Sequence, residues 1–128
     1  MSYRSLGNSD IAKKFRVYQD SKDYCKFSRD IISKHIKKHD RGLSDQIERA
    51  LNSIVLNIAE GSADHSDVEF ARFLGISMRS TYETVAGFDL ATLFEYINED
   101  LNQEVEEKAY VLVKQLASFR NKLKNKEI

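Results

Sequence analysis

Apolar residues recur along this chain at helical spacing in separate stretches divided by polar punctuation. The last stretch is the most regular. Val105, Ala109, Leu112, Leu116, Phe119 and Leu123 alternate spacings of four and three, the heptad of a helix with one buried seam that opens near Asn102. Upstream, Ile47, Leu51, Ile54 and Ile58 repeat at four, three and four, widened by Ala50 and Val55. That pattern predicts a helix from Ser44 or Asp45 to Gly61. Ser66-Asp67-Val68-Glu69 is a capping box, in which hydroxyl and carboxylate satisfy orphan amide donors reciprocally. The helix it opens is expected to reach Tyr96 or Ile97. A first helix is expected from about Ile11 to Lys38, with Phe15, Tyr18, Cys25, Ile32 and Ile36 inward. Gly42 is its stop signal, and Lys37, Lys38 and Arg41 sit at the favourable end of its dipole. Residues 1–10 lack a period and read as a flexible arm, 11–125 as a single bundle domain and 126–128 as a tail. Short connections favour antiparallel neighbours, so the expected fold is all-α, an up-down-up-down antiparallel four-helix bundle.

Composition narrows the class. Proline is absent, whereas ~5% usage would give about six, and a chain without proline keeps its helices unbroken. An all-β sandwich needs many Gly/Pro turns, and disorder goes with fewer large apolar residues than the 41% hydrophobic content here. The single cysteine, Cys25, excludes an internal disulfide and a cysteine-based zinc site. No signal-type apolar stretch and no run of ~18 apolar residues occurs, so the expected setting is cytoplasmic, away from membranes.

The formal net charge of zero hides a bipolar chain. Residues 1–42 carry 11 Lys/Arg against 5 Asp/Glu, whereas residues 63–100 carry 2 against 8. The second helix adds a polar row, Gln46, Arg49, Ser53, Asn57 and Glu60, along one face. It contains no lysine, and Asn, Ser and Gln are poor choices for an idle helix surface. On the third helix, Ser80 and Glu83 share a face with Phe73, Ile76 and Gly87. Gly75 and Gly87 each cost about 1 kcal/mol relative to alanine inside a helix, a cost retained where two backbones approach closely. The third helix also has more apolar residues than one stripe needs, among them Tyr82, Leu90, Leu93 and Phe94. A helix apolar on several faces is covered on several faces, so a subunit interface from the second and third helices is expected.

These residues carry a resemblance. Gln46-Ile47-Glu48-Arg49-Ala50, then Ser53-Ile54, then Asn57-Ile58-Ala59-Glu60-Gly61 resembles the Q-I-R-R-A, S-I and N-I-A-E-G signature of the four-helix-bundle proteins encoded by intervening sequences of 23S ribosomal RNA genes. Val17-Tyr18-Gln19-Asp20-Ser21 is similar to that family's V-W-Q-K-A. Phe73-Leu74 with Ile76-Ser77 is similar to its F-L-x-I-A, and Ser80 with Glu83 to its G-S-x-x-E. The likeness runs from about Phe15 to the end of the chain. It implies a homopentameric ring of bundles. It also implies kinship with the accessory protein of diversity-generating retroelements, a basic pentamer that binds reverse transcriptase and template RNA. Glu48 stands where the family usually has Arg, and Arg79 where it has Gly. The polar signature carried over is Gln46, Arg49, Ser53, Asn57, Glu60, Ser80 and Glu83, read as a structural or intersubunit network or else as a ligand site. Within it, Arg49 and Glu83 form a candidate register-setting pair.

No catalytic constellation is expected. His35 and His39 are four apart but lack the intervening Glu of a zinc-protease helix, and histidine near a helix C-terminus already suits the dipole. His65 beside the Ser66 cap reads as a loop residue, and Cys25 as a small core residue without an activating partner. No Glu-x-x-His pair of a di-iron bundle and no phosphate-cradling Gly-rich loop is present, so no cofactor, metal or small-molecule substrate is expected. The stronger functional reading is binding of RNA or a nucleoprotein such as a reverse transcriptase. Lys22, Lys26, Arg29 and Lys37 fall within about 80° of one another on the first helix. Lys13, Lys14 and Arg16 are expected beside Arg120, Lys122, Lys124 and Lys126 at one end of the bundle. A ring would multiply such contacts. The competing reading is a pure protein-protein scaffold. Exposure or neutralisation of the Lys22–Lys37 row discriminates between them.

Overall fold

The computed structural model describes residues 9–63 and 66–125, with side chains from Arg16 onward. Residues 1–8 of the arm expected over 1–10, and the tail 126–128, lie outside the described residues. Helix α1 (Ser9–Ile31) runs into one π-helical turn (Ile32–Ile36), followed by α2 (Arg41–Gly61), α3 (Asp67–Leu93) and α4 (Glu99–Asn125). The architecture is all-α, and no strand occurs among the described residues.

Local chemistry sets the helix boundaries and moves several of those expected. Ser9 and Asp10 already belong to α1. Asp40 is the N-cap of α2, its Oδ1 accepting from Leu43 N–H at 3.0 Å, so Gly42 opens this helix instead of closing the previous one. Ser44, the expected start, is fully buried against the core. Ser66 caps α3 as expected, its Oγ accepting from Glu69 N–H at 3.1 Å. The Glu69 carboxylate turns to Arg72 instead of back to the cap. Helix α3 stops at Leu93 because Glu95 adopts a φ of 68°. Tyr96 N–H reaches Ala91 O at 2.8 Å and Glu95 N–H reaches Thr92 O at 3.0 Å, the paired bonds of a Schellman turn. Asn98 then caps α4, its Oδ1 accepting from Leu101 N–H at 2.8 Å, which starts that helix at Glu99 instead of Asn102.

The buried row of α1 also differs from the expected one. Val17, Ser21, Tyr24, Ser28 and Ile31 face inward, while Tyr18 and Cys25 are half-buried at the margin. The serines, read as polar, are small enough to let α1 approach its neighbours. The π turn, closed by Lys37 N–H on Ile32 O at 2.9 Å, brings Ile32 and Ile36 to full burial beside Ile31.

Phe88, Ile47, Leu51, Ile54, Leu74, Val105 and Leu116 fill the centre. Their removal from water supplies roughly 1.5–3 kcal/mol per large side chain. Cross-links fix the register. Between α2 and α3, a Cβ at Gly87 would lie 2.5 Å from Ile47 Cγ1, and one at Gly61 would lie 2.7 Å from Phe70 Cδ1. Asn102 donates to Asp89 at 3.0 Å and Arg120 to Ala71 O at 3.2 Å, tying α4 to α3. Gln115 donates to Asp20 at 2.8 Å between α4 and α1, and Arg29 to Asn52 at 2.8 Å between α1 and α2.

Candidate functional site

The α2–α3 seam is built from small polar residues. Ser80 Oγ donates to Ser53 Oγ at 2.7 Å, and Asn57 Nδ2 donates to Ser53 O at 2.8 Å and to Ser53 Oγ at 3.0 Å. Ser80 is 7% exposed and its two partners are half-buried. Ser53, Asn57 and Ser80 are thus one network that satisfies itself within the chain. Gln46, Arg49, Glu60 and Glu83 stand exposed along its outer rim. The expected Arg49–Glu83 ion pair is not formed inside the chain; both side chains are exposed, where such contacts contribute about 0–1 kcal/mol.

Below that network runs a buried ladder that the sequence reading passed over. Ser77 Oγ donates to Ile54 O at 2.8 Å, Thr81 to Ser77 O at 2.8 Å and Thr84 to Thr81 O at 2.6 Å. The Thr84 hydroxyl meets the Tyr24 phenol of α1 at 2.8 Å. Burial pushes the Tyr24 phenol above its ordinary range, against the lowering effect of the Thr84 bond. The available signal was hydroxyl residues at positions 77, 81 and 84, helical spacing on a face otherwise apolar.

The basic candidates divide into free and engaged. Arg29 Nη1 lies 3.3 Å and Lys37 Nζ 3.4 Å from the same oxygen, Glu48 Oε2, whose side chain is only 17% exposed. Glu48, one of the two positions noted above as departing from the resemblance, is therefore the residue that engages half of the expected α1 row, Arg29 and Lys37. Lys22 and Lys26 remain exposed, with Lys22 Nζ 5.0 Å over the Tyr18 ring. At the end of the bundle, Arg16, Lys122 and Lys124 are exposed. Arg120 is not free: it donates to Ala71 O at 3.2 Å, with its Nε 3.4 Å from where a Gly75 Cβ would stand. The glycine leaves room for the guanidinium. The side chains of Lys13 and Lys14 and all of Lys126 lie outside the described residues.

The remaining titratable groups form no metal centre: among the described residues no group of three or more His, Cys, Asp or Glu side chains could hold an ion. His39 stacks on Tyr96 with centroids 5.5 Å apart. Tyr96 OH donates to Asp40 Oδ2 at 3.1 Å, and desolvation together with that carboxylate holds its phenol above the ordinary range. Cys25 is half-buried, and His65 lies outside the described residues. Among the described residues no helix is long and apolar enough to cross a membrane.

A family model described as 23S rRNA-intervening sequence protein matches residues 13–118. The curated proteins give no match. Among solved structures, a protein of unknown function from the S23 ribosomal protein family of Bacteroides thetaiotaomicron is 23% identical, with a TM-score of 0.76. The match covers 85% of this chain and 98% of that one, a likeness of fold.

Proposed function

The chain belongs to the 23S rRNA-intervening sequence protein family, and from that premise we propose that it is a non-enzymatic, homo-oligomeric helical-bundle protein that holds RNA or a nucleoprotein at its basic end. The bundle is taken as up-down-up-down. In support, Ile47 meets Gly87 while Gly61 meets Phe70, and Asn102 meets Asp89 while Arg120 meets Ala71. A ring of subunits, five by family resemblance, is supported by apolar surface that one chain leaves uncovered: Leu56 is 64% and Leu93 71% exposed, with Tyr82, Leu90 and Phe94 also open.

The observation that carries the nucleic-acid reading is the exposure of Arg16, Lys122 and Lys124, which lie on α1 and α4 beyond the Gln115–Asp20 hydrogen bond that ties the two helices. Repeated around a ring, a few cations per subunit produce a polyanion site with steep salt dependence. A reverse transcriptase with its template RNA is a partner of fitting chemistry. The second reading, a protein-only scaffold, is favoured by Glu48, which engages Arg29 and Lys37. Titration of the purified protein against a structured RNA across a salt series tests the proposal. Binding should weaken steeply with salt, with a shallower slope in a Lys122→Glu/Lys124→Glu variant. No association at low salt contradicts it and leaves the scaffold.

A further inference from the structure

Helices α1 and α4, which take no part in the α2–α3 seam, leave a cleft of about 380 Å³ between them. Phe27, Leu112 and Val111 give it apolar walls, and the carboxylates of Asp20, Asp23 and Glu107 stand around it. The Gln115–Asp20 hydrogen bond marks one end, and Lys108 over the Phe27 ring marks the other. Asp23 is exposed and has no hydrogen-bond or ion-pair partner among the described residues. Glu107, also exposed, accepts a long bond of 3.5 Å from Gln103. A carboxylate only accepts, so the bond to Asp20 turns the Gln115 amide NH2 toward it and leaves Gln115 Oε1 buried without a donor. The Phe27 ring already carries a cation, with Lys108 Nζ 4.8 Å from its centroid.

These features call for one chemistry, a cation that brings N–H donors on an aliphatic stem. The carboxylates repel a phosphate backbone. A free amine fills the cleft but leaves Val111 and the adjacent Tyr110 in water, at 59% and 64% exposure, whereas a polypeptide segment covers them. We propose that the α1–α4 cleft docks a basic amphipathic segment of a partner protein. An arginine or lysine of that segment sits among Asp23, Glu107 and the Gln115 carbonyl, and its apolar neighbours cover Val111 and Tyr110. Lys108, on a flexible stem, is the internal occupant that the entering side chain displaces from Phe27. The inference goes beyond the polyanion site and is independent of it, because Arg16, Lys122 and Lys124 do not line the cleft.

The test uses the whole chain and a fluorescein-labelled peptide whose arginines and leucines share one helical face, read by fluorescence anisotropy. A scrambled peptide of the same composition and spermidine as competitor complete the set. Asp23→Asn/Glu107→Gln removes charge at exposed positions, and Tyr110→Ser/Val111→Ser removes the apolar contact; circular dichroism confirms that both variants keep their helicity. Each should weaken binding of the amphipathic peptide roughly tenfold, and Lys108→Met should strengthen it several-fold. Absence of binding at low salt overturns the proposal, as does equal binding of the scrambled peptide or indifference to either double variant. Full displacement by spermidine at the peptide's own concentration makes the cleft a free-amine site and overturns it as well. Both double variants should sediment with the parent's mass; a changed mass assigns the cleft to a second copy of the chain and overturns the partner reading.

Discussion

The two flanks of α1 and the seam between α2 and α3 are held together by different chemistry. At the α2–α3 seam the helices touch through Gly87 against Ile47, Gly61 against Phe70 and hydroxyls that bond directly across, Ser80 to Ser53 and Ser77 to Ile54 O. Helix α1 meets α3 through the buried Tyr24–Thr84 bond and is held at its flanks by long side chains: Arg29, and Lys37 just beyond the π turn, reach Glu48, Gln115 reaches Asp20, and Lys108 lies 4.8 Å over the Phe27 ring. Small residues give short-range packing that one added methyl disrupts. Long charged side chains give contacts that stretch, exchange with water and weaken with salt. The seam is therefore the rigid platform on which assembly can be specified, and the flanking contacts of α1 are the adjustable ones.

The largest expected effect separates two glycines of one helix. Gly87→Ala forces a methyl into Ile47 and should cost about 1–3 kcal/mol of overpacking, offset in part by about 1 kcal/mol of helix propensity. Gly75→Ala meets only the Arg120 guanidinium at 3.4 Å, so it should be neutral or stabilise by up to about 1 kcal/mol. Urea denaturation of both variants reads this difference; equal destabilisation would dissolve the distinction between a backbone contact and a side-chain contact. A smaller effect concerns α1. Glu48→Gln should lower stability by up to about 1 kcal/mol, less at high salt, while releasing Arg29 and Lys37 to strengthen RNA binding. Unchanged RNA affinity would place both cations outside any polyanion site. The smallest effect is alkaline. Tyr24 has a raised folded-state pKa, so its contribution is complete below about pH 10 and is lost as pH climbs through the folded value. Stability of the parent should fall as pH rises above about 10, and Tyr24→Phe should flatten that fall in chemical denaturation at several pH values.

What was legible in the sequence was the strongly periodic part. The α4 seam of Val105, Ala109, Leu112, Leu116 and Leu123 is buried as its spacing predicts, with Phe119 half-buried beside it, and Ser66 caps α3. Boundaries set by a single residue's backbone were not legible. Glu95 takes a left-handed conformation usually reserved for glycine, and Asp40 caps α2 where Gly42 looked like a stop. The inner row of α1 was obscured because Ser21 and Ser28 count as polar in a hydrophobic pattern yet pack as small residues. Among the candidate site residues, the sequence placed Ser53 and Asn57 on one row of the second helix and Ser80 on a face of the third, and the structure bonds them. Charge counting could not anticipate that Arg29, Lys37 and Arg120 find partners, because those pairings join positions far apart in the chain.

The most direct test of the account is sedimentation velocity of the unaltered protein over a wide concentration range. A platform at the α2–α3 seam with uncovered apolar residues beside it predicts one discrete, closed oligomer, several times the 14.8 kDa chain, whose size does not grow with concentration. A species of single-chain mass at every concentration would contradict it.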